Sequence, residues 1–64
     1  MNLIEGILQE IDRATELLVE YKKIPEGKFG AFMIESHIKA AKKAISEGDT
    51  PQMLKSYQEL KKLE

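Results

Sequence analysis

Ile24-Pro25-Glu26-Gly27-Lys28-Phe29-Gly30-Ala31 decides how this chain folds. Proline disfavours helical geometry in the residue before it, so Pro25 ends a helix arriving from the N-terminal side. Gly27 is expected at positive φ in the turn, and Gly30 is expected to open a second helix. A plain helix–helix connection has no need of a cation and an aromatic ring between two glycines. Lys28-Phe29 is therefore marked out as more than a link.

Upstream of this turn, the spacing predicts a helix over residues 3–23. Asn2 stands as its N-cap, with Glu5 three residues later. Ile4, Ile7, Leu8, Ile11, Ala14, Leu18 and Tyr21 recur at threes and fours along one face. Leu3, Leu17 and Ile24 widen that stripe, and Glu5, Gln9, Asp12, Arg13, Glu16, Glu20 and Lys23 face away from it. Ile4, Ile11 and Leu18 are seven apart, as are Ile7, Ala14 and Tyr21. Such a seam suits a bundle core or a coiled-coil-like pairing of two chains.

Downstream, a second helix is expected over residues 30–47, with Ile34, Ile38, Ala41 and Ile45 inward and Met33, His37, Ala40 and Ala44 beside them. Glu35, Lys39, Lys42, Lys43 and Ser46 form its outer side. Gly48 fits a helix C-terminus. Thr50 as N-cap and Pro51 at the first helical position then start a third helix over residues 51–63. Met53, Tyr57 and Leu60 are its stripe, with Leu54 and Leu63 at the margins. The pattern is all-α: a three-helix antiparallel bundle, or a helical hairpin completed by homo-oligomerisation.

The size of the chain gives oligomerisation its force. A domain of 64 residues buries only about 60% of the surface its unfolded form exposes. The sequence has no cysteine and one histidine, which removes disulfides, thiolate metal sites and histidine-rich metal sites. Regular helix packing or self-association must supply the stability instead. Ile4, Ile7, Leu8, Ile11, Leu18 and Tyr21 are the expected interface between copies.

Hydrophobic residues at 42% and charged residues at 33% describe a folded, water-facing chain. Its net charge of -1 gives no general attraction to nucleic acid or an anionic membrane. No apolar run reaches the roughly 20 residues of a membrane span, and no secretory leader is evident, so a cytoplasmic location is expected.

Catalysis finds little support. Ser36 and His37 are adjacent and diverge by about 100° on a helix, so they do not form a nucleophile–base pair. Glu35 and His37 are two apart, the wrong spacing for two metal ligands on one helix face. No phosphate loop or catalytic triad pattern is present, and no metal or cofactor is expected. Lys39, Lys42 and Lys43 read as a solvated face rather than a nucleic-acid contact.

The strongest binding candidate is Lys28, Phe29, Gly30, Phe32 and His37. A helix N-terminus favours anions. Gly30 would admit a ligand to the backbone, Lys28 would add charge, Phe29 or Phe32 would stack on a base, and His37 would approach from two turns away. The competing structural reading makes the two phenylalanines lids on the bundle end.

The order Tyr21-Lys22-Lys23-Ile24-Pro25, Gly27-Lys28-Phe29-Gly30-Ala31-Phe32-Met33-Ile34, Ala44-Ile45-Ser46-Glu47-Gly48-Asp49 and Met53-Leu54-Lys55-Ser56-Tyr57 resembles short helical proteins carried by bacteriophages and prophages. Some proteins of that kind act by sequestering nucleotide signals of host defence, often as oligomers with pockets between subunits. The resemblance implies a host-cell cytoplasmic, non-catalytic protein that holds a small anionic ligand, such as a signalling nucleotide, at a subunit interface. The alternative is a protein–protein inhibitor or adaptor that docks a host protein through an amphipathic face, either the Leu3/Leu17/Ile24 margin or the alanine side of the second helix.

Overall fold

The structure, a computed structural model, describes residues 2–63. It contains α1 (Leu3–Lys22), a short 3-10 turn (Pro25–Gly27), α2 (Lys28–Glu47) and α3 (Thr50–Lys61), and no strand among the described residues. The protein is an all-α three-helix bundle.

Each boundary has a local cause. The Asn2 side chain accepts from the Glu5 backbone N–H at 2.8 Å and so caps α1. At the other end Ile24 is extended, at φ -102 and ψ 122, as the residue before a proline should be. Gly27 does not take the positive φ expected of it; its φ is -88. Its need for glycine is steric, because a Cβ at position 27 would collide with the Tyr21 carbonyl oxygen.

The 3-10 turn runs straight into α2, which therefore starts at Lys28, two residues before the expected opening at Gly30. Gly48 is the residue that turns left-handed, at φ 66. The Gly48 N–H donates to the Ile45 carbonyl and the Asp49 N–H to that of Ala44, closing the C-terminus of α2 in a Schellman pattern. Asp49, rather than Thr50, caps α3: its carboxylate accepts from the Gln52 N–H at 3.2 Å. Thr50 and Pro51 fall inside the first turn, and α3 ends at Lys61.

The core is one cluster: Ile7, Ile11, Ala14 and Leu18 of α1, Ala31, Ile34, Ile38, Ala41 and Ala44 of α2, and Met53 and Leu60 of α3. Ile7 and Leu60 lose all contact with solvent. Burial of such a side chain is worth about 1.5–3 kcal/mol. Leu3, Leu17, Tyr21, Ile45, Tyr57 and Leu63 pack at the edge of the cluster. Ala31, Ala41 and Ala44 keep α2 thin on its inner side and lie inside the molecule, whereas Ala40 is half-buried; of the margin considered for docking, Leu3 and Leu17 pack at the edge of the core and Ile24 is 48% exposed.

α1 and α2 form an antiparallel hairpin, and α3 lies across one face of it, parallel to α1. Two contacts fix that face. A Cβ on Gly6 would sit 3.2 Å from Tyr57 Cε1, and Arg13 donates to the carbonyls of Leu60 at 2.6 Å and Leu63 at 2.9 Å. Helices α1 and α2 have 20 residues each and α3 has 12. At 1.5 Å per residue α3 spans about 18 Å of a hairpin about 30 Å long. Beyond Arg13, the end of the hairpin that carries Tyr21 and the start of α2 is built by two helices alone.

The isoleucine seam of α1 divides accordingly. Ile7, Ile11 and Leu18 are buried in the chain's own core and Tyr21 is half-buried, whereas Ile4 and Leu8, expected on the same seam, are exposed. Met33 and Leu54 are exposed as well.

Candidate docking face

The first turn of α2 stands at the two-helix end of the bundle. Ala31, Ile34, Ile38, Ala41 and Ala44 point into the core. Successive residues of a helix are rotated by about 100°, so Phe32, nine positions before Ala41, lies on the opposite side of α2. Phe29 precedes it by three and Met33 follows Phe29 by four, which places all three side chains together. Phe29 is 73% exposed, Phe32 64% and Met33 41%. The chain's two phenylalanines are thus neither lids nor core: they lie side by side in solvent. Further along the same outer side come Ser36, Lys39, Ala40 and Lys43, with both lysines exposed. Ser36 turns its hydroxyl back to donate to the Phe32 carbonyl at 3.0 Å, so it adds no outward polar group at the patch.

The five residues expected to hold a small anion are only partly brought together. Lys28, Phe29 and Phe32 are exposed neighbours. Gly30 faces the other way, and the ring of Tyr21 fills the space beside it: a Cβ there would meet Tyr21 Cε2 at 2.6 Å. The glycine admits the bundle's own tyrosine, which leaves no backbone surface for a ligand. Lys28 and His37 are nine residues apart on one continuous helix, hence on opposite sides of it and about 13 Å apart along its axis. His37 is half-buried on the side turned toward α3.

Three surface concavities of the bundle are lined by Arg13, Glu16, Leu17, Val19 and Glu20, by Ala40, Lys43, Ala44, Glu47, Asp49 and Gln52, and by Asn2, Leu3, Gly6 and Tyr57. None of the three is formed by the five residues. Among the described residues, no group of three or more His, Cys, Asp or Glu side chains converges as a metal site would require. No described helix is long and apolar enough to cross a membrane.

Met33, Lys39 and Lys43 were not singled out by the sequence as parts of this face. The signal was available: with Ile34, Ile38 and Ala41 inward, the same 100° rotation that buries them turns Phe29, Phe32, Ser36 and Lys43 outward. The surface that results is an apolar patch at one end of a helix followed by a basic stretch, a form suited to a long, amphipathic ligand rather than a compact one.

No family model matches the chain, and comparison with curated proteins and with solved structures finds no match.

Proposed function

We propose that this protein is a non-catalytic docking module, an inhibitor or adaptor that binds an acidic amphipathic helix of a protein partner along the outer side of α2. The observation that carries the reading is the joint exposure of Phe29 and Phe32. Exposed apolar clusters of large side chains mark interaction surfaces far more often than isolated exposed leucines do. Phe29, Phe32 and Met33 would receive the partner's apolar residues, and Lys39 and Lys43 its carboxylates.

Magnitudes set the expected strength. A phenylalanine buries on the order of 200 Å² when fully covered, so covering these two removes roughly 250 Å² at their present exposure. At about 25 cal/mol per Å² that is ~6 kcal/mol before the cost of association. Net of that cost the two rings alone would bind more weakly than millimolar, so the partner's own buried apolar area and the lysines, the latter salt-dependent, supply the rest of the affinity. The resemblance to phage and prophage proteins fits such a role, because a short module can block a host protein by occupying one groove. The small-anion reading retains Lys28 and the phenylalanines as its support but no longer has Gly30 or His37 beside them.

Calorimetric titration tests the proposal with three synthetic helical peptides. One carries leucines at i, i+3, i+4 and i+7 with glutamates opposite; the second replaces glutamate by lysine; the third scrambles the first. Binding of the acidic peptide alone, lost in Phe29→Ser/Phe32→Ser and weakened in Lys39→Glu, is the expected result. Equal binding of the scrambled peptide, or no binding of the acidic one at millimolar concentration, overturns it.

A further inference from the structure

α3 covers one face of the α1–α2 hairpin, and the opposite face carries a second uncovered apolar stripe. Ile4, Leu8 and Val19 are 41%, 49% and 50% exposed, and the exposed Thr15 lies between the last two. On the helical wheel these four residues fall within about 60° of one another. They are turned about 120–180° from Gly6 and Arg13, which face α3. Along one border of the stripe α1 presents Glu5, Asp12 and Glu16, with Lys23 at its far end; along the other, α2 presents Lys28, Lys39 and Lys42, with Glu35 among them. The hairpin's free face is therefore acidic, apolar and basic in order across its width.

We infer that this face is the interface of a parallel homodimer, in which a second copy lays its α1 along the first about a two-fold axis running in the direction of the helices. That orientation sets stripe on stripe and exchanges the borders, so the acidic edge of each chain meets the basic edge of the other. A two-fold axis across the helices would instead set acid on acid and lysine on lysine, which charge repulsion disfavours. The hairpin register that brings Tyr21 against Gly30 places Asp12 and Lys39 at the same height, and an axis along the helices preserves heights. Asp12 then faces Lys39 of the partner subunit, a pairing that has to outweigh Glu16 against the partner's Glu35 and Lys23 against the partner's Lys28 at matching heights. The exposed apolar area of the stripe is modest, so the charged borders carry a large share of the association and the dimer loosens as salt rises. This surface shares Lys39 with the proposed docking face but uses neither Phe29 nor Phe32, so the phenylalanine variant tells the two apart.

Sedimentation equilibrium and single-cysteine cross-linking test the inference together, helped by the absence of native cysteine. The expected mass is that of two chains at about 100 µM in low salt. Leu8→Glu should return it to one chain with helicity intact. Lys39→Glu should weaken the dimer at least tenfold and Asp12→Lys/Lys39→Glu should restore it. Phe29→Ser/Phe32→Ser should leave it unchanged. On oxidation, Leu8→Cys and Thr15→Cys should each form a disulfide with its own kind. A single-chain mass at millimolar concentration, a Leu8→Glu variant that still dimerises, loss of the dimer in the phenylalanine variant, or disulfides formed only when the two cysteine variants are mixed would each overturn it.

Discussion

Tyr21 and Gly30 lock the two-helix end of the bundle by direct contact: a Cβ on residue 30 would come within 2.6 Å of Tyr21 Cε2 and 2.7 Å of Cδ2. This glycine stands within the first turn of α2 at an ordinary backbone conformation, so alanine should by propensity stabilise the helix by up to about 1 kcal/mol. The ring contact opposes that gain. Overpacking of this kind costs about 1–3 kcal/mol.

Gly30→Ala is therefore expected to destabilise the protein by about 1 kcal/mol net, read as a lower urea midpoint. In a Tyr21→Leu background, where the ring is gone, the same substitution should become neutral or stabilising. A Gly30→Ala midpoint equal to wild type would show that the ring yields without cost.

Arg13 ties the middle of α1 to the C-terminal end of α3. Its Nη2 donates to the Leu60 carbonyl, which also accepts from the Leu63 N–H, its Nη1 donates to the Leu63 carbonyl just beyond α3, and Nε donates to Glu10 Oε1 at 3.0 Å. Arg13→Ala should cost about 1–2 kcal/mol, moderated by the partial exposure of the group. Arg13→Lys should recover less than half of that, because an ammonium cannot span two carbonyls and a carboxylate at once. Hydrogen exchange should show the last turn of α3 losing protection before α1 does; uniform loss would contradict this assignment.

Gly48 is the one described residue with a positive φ, and no atom lies within 4 Å of its absent Cβ. Gly48→Ala should cost about 1 kcal/mol through backbone strain alone. Asp49→Ala should cost a similar ~1 kcal/mol by uncapping α3. The two residues share one turn, so the double variant should depart from additivity. Thermal unfolding of the four proteins measures all three quantities.

How much of this was legible beforehand follows from which residues act locally. Pro25, Gly48 and Pro51 punctuate the chain by their own conformational restrictions, so three helices could be read directly. Asp49 and Thr50 are adjacent and both suit a cap; the choice falls to Asp49 because of where the Schellman turn at Gly48 delivers the backbone. Ile4 and Leu8 have the same periodicity as Ile7 and Ile11, and periodicity cannot say which flank of α1 a 12-residue α3 will cover. The role of Gly30 depends on Tyr21, on the neighbouring helix, and that of Arg13 on carbonyls 47 and 50 residues away. Phe29 and Phe32 left two readings open, stacking on a ligand or lidding the bundle end, and the rotation from Ile34 and Ile38 already turned them outward.

Under the proposed function those two phenylalanines serve a partner rather than the fold, and the urea unfolding free energy of Phe29→Ser/Phe32→Ser tests this most directly. The predicted value lies within about 0.5 kcal/mol of wild type, as for surface substitutions. A loss of about 3 kcal/mol or more, the cost of truncating a buried phenylalanine, would mean that both rings hold the bundle together and would contradict it.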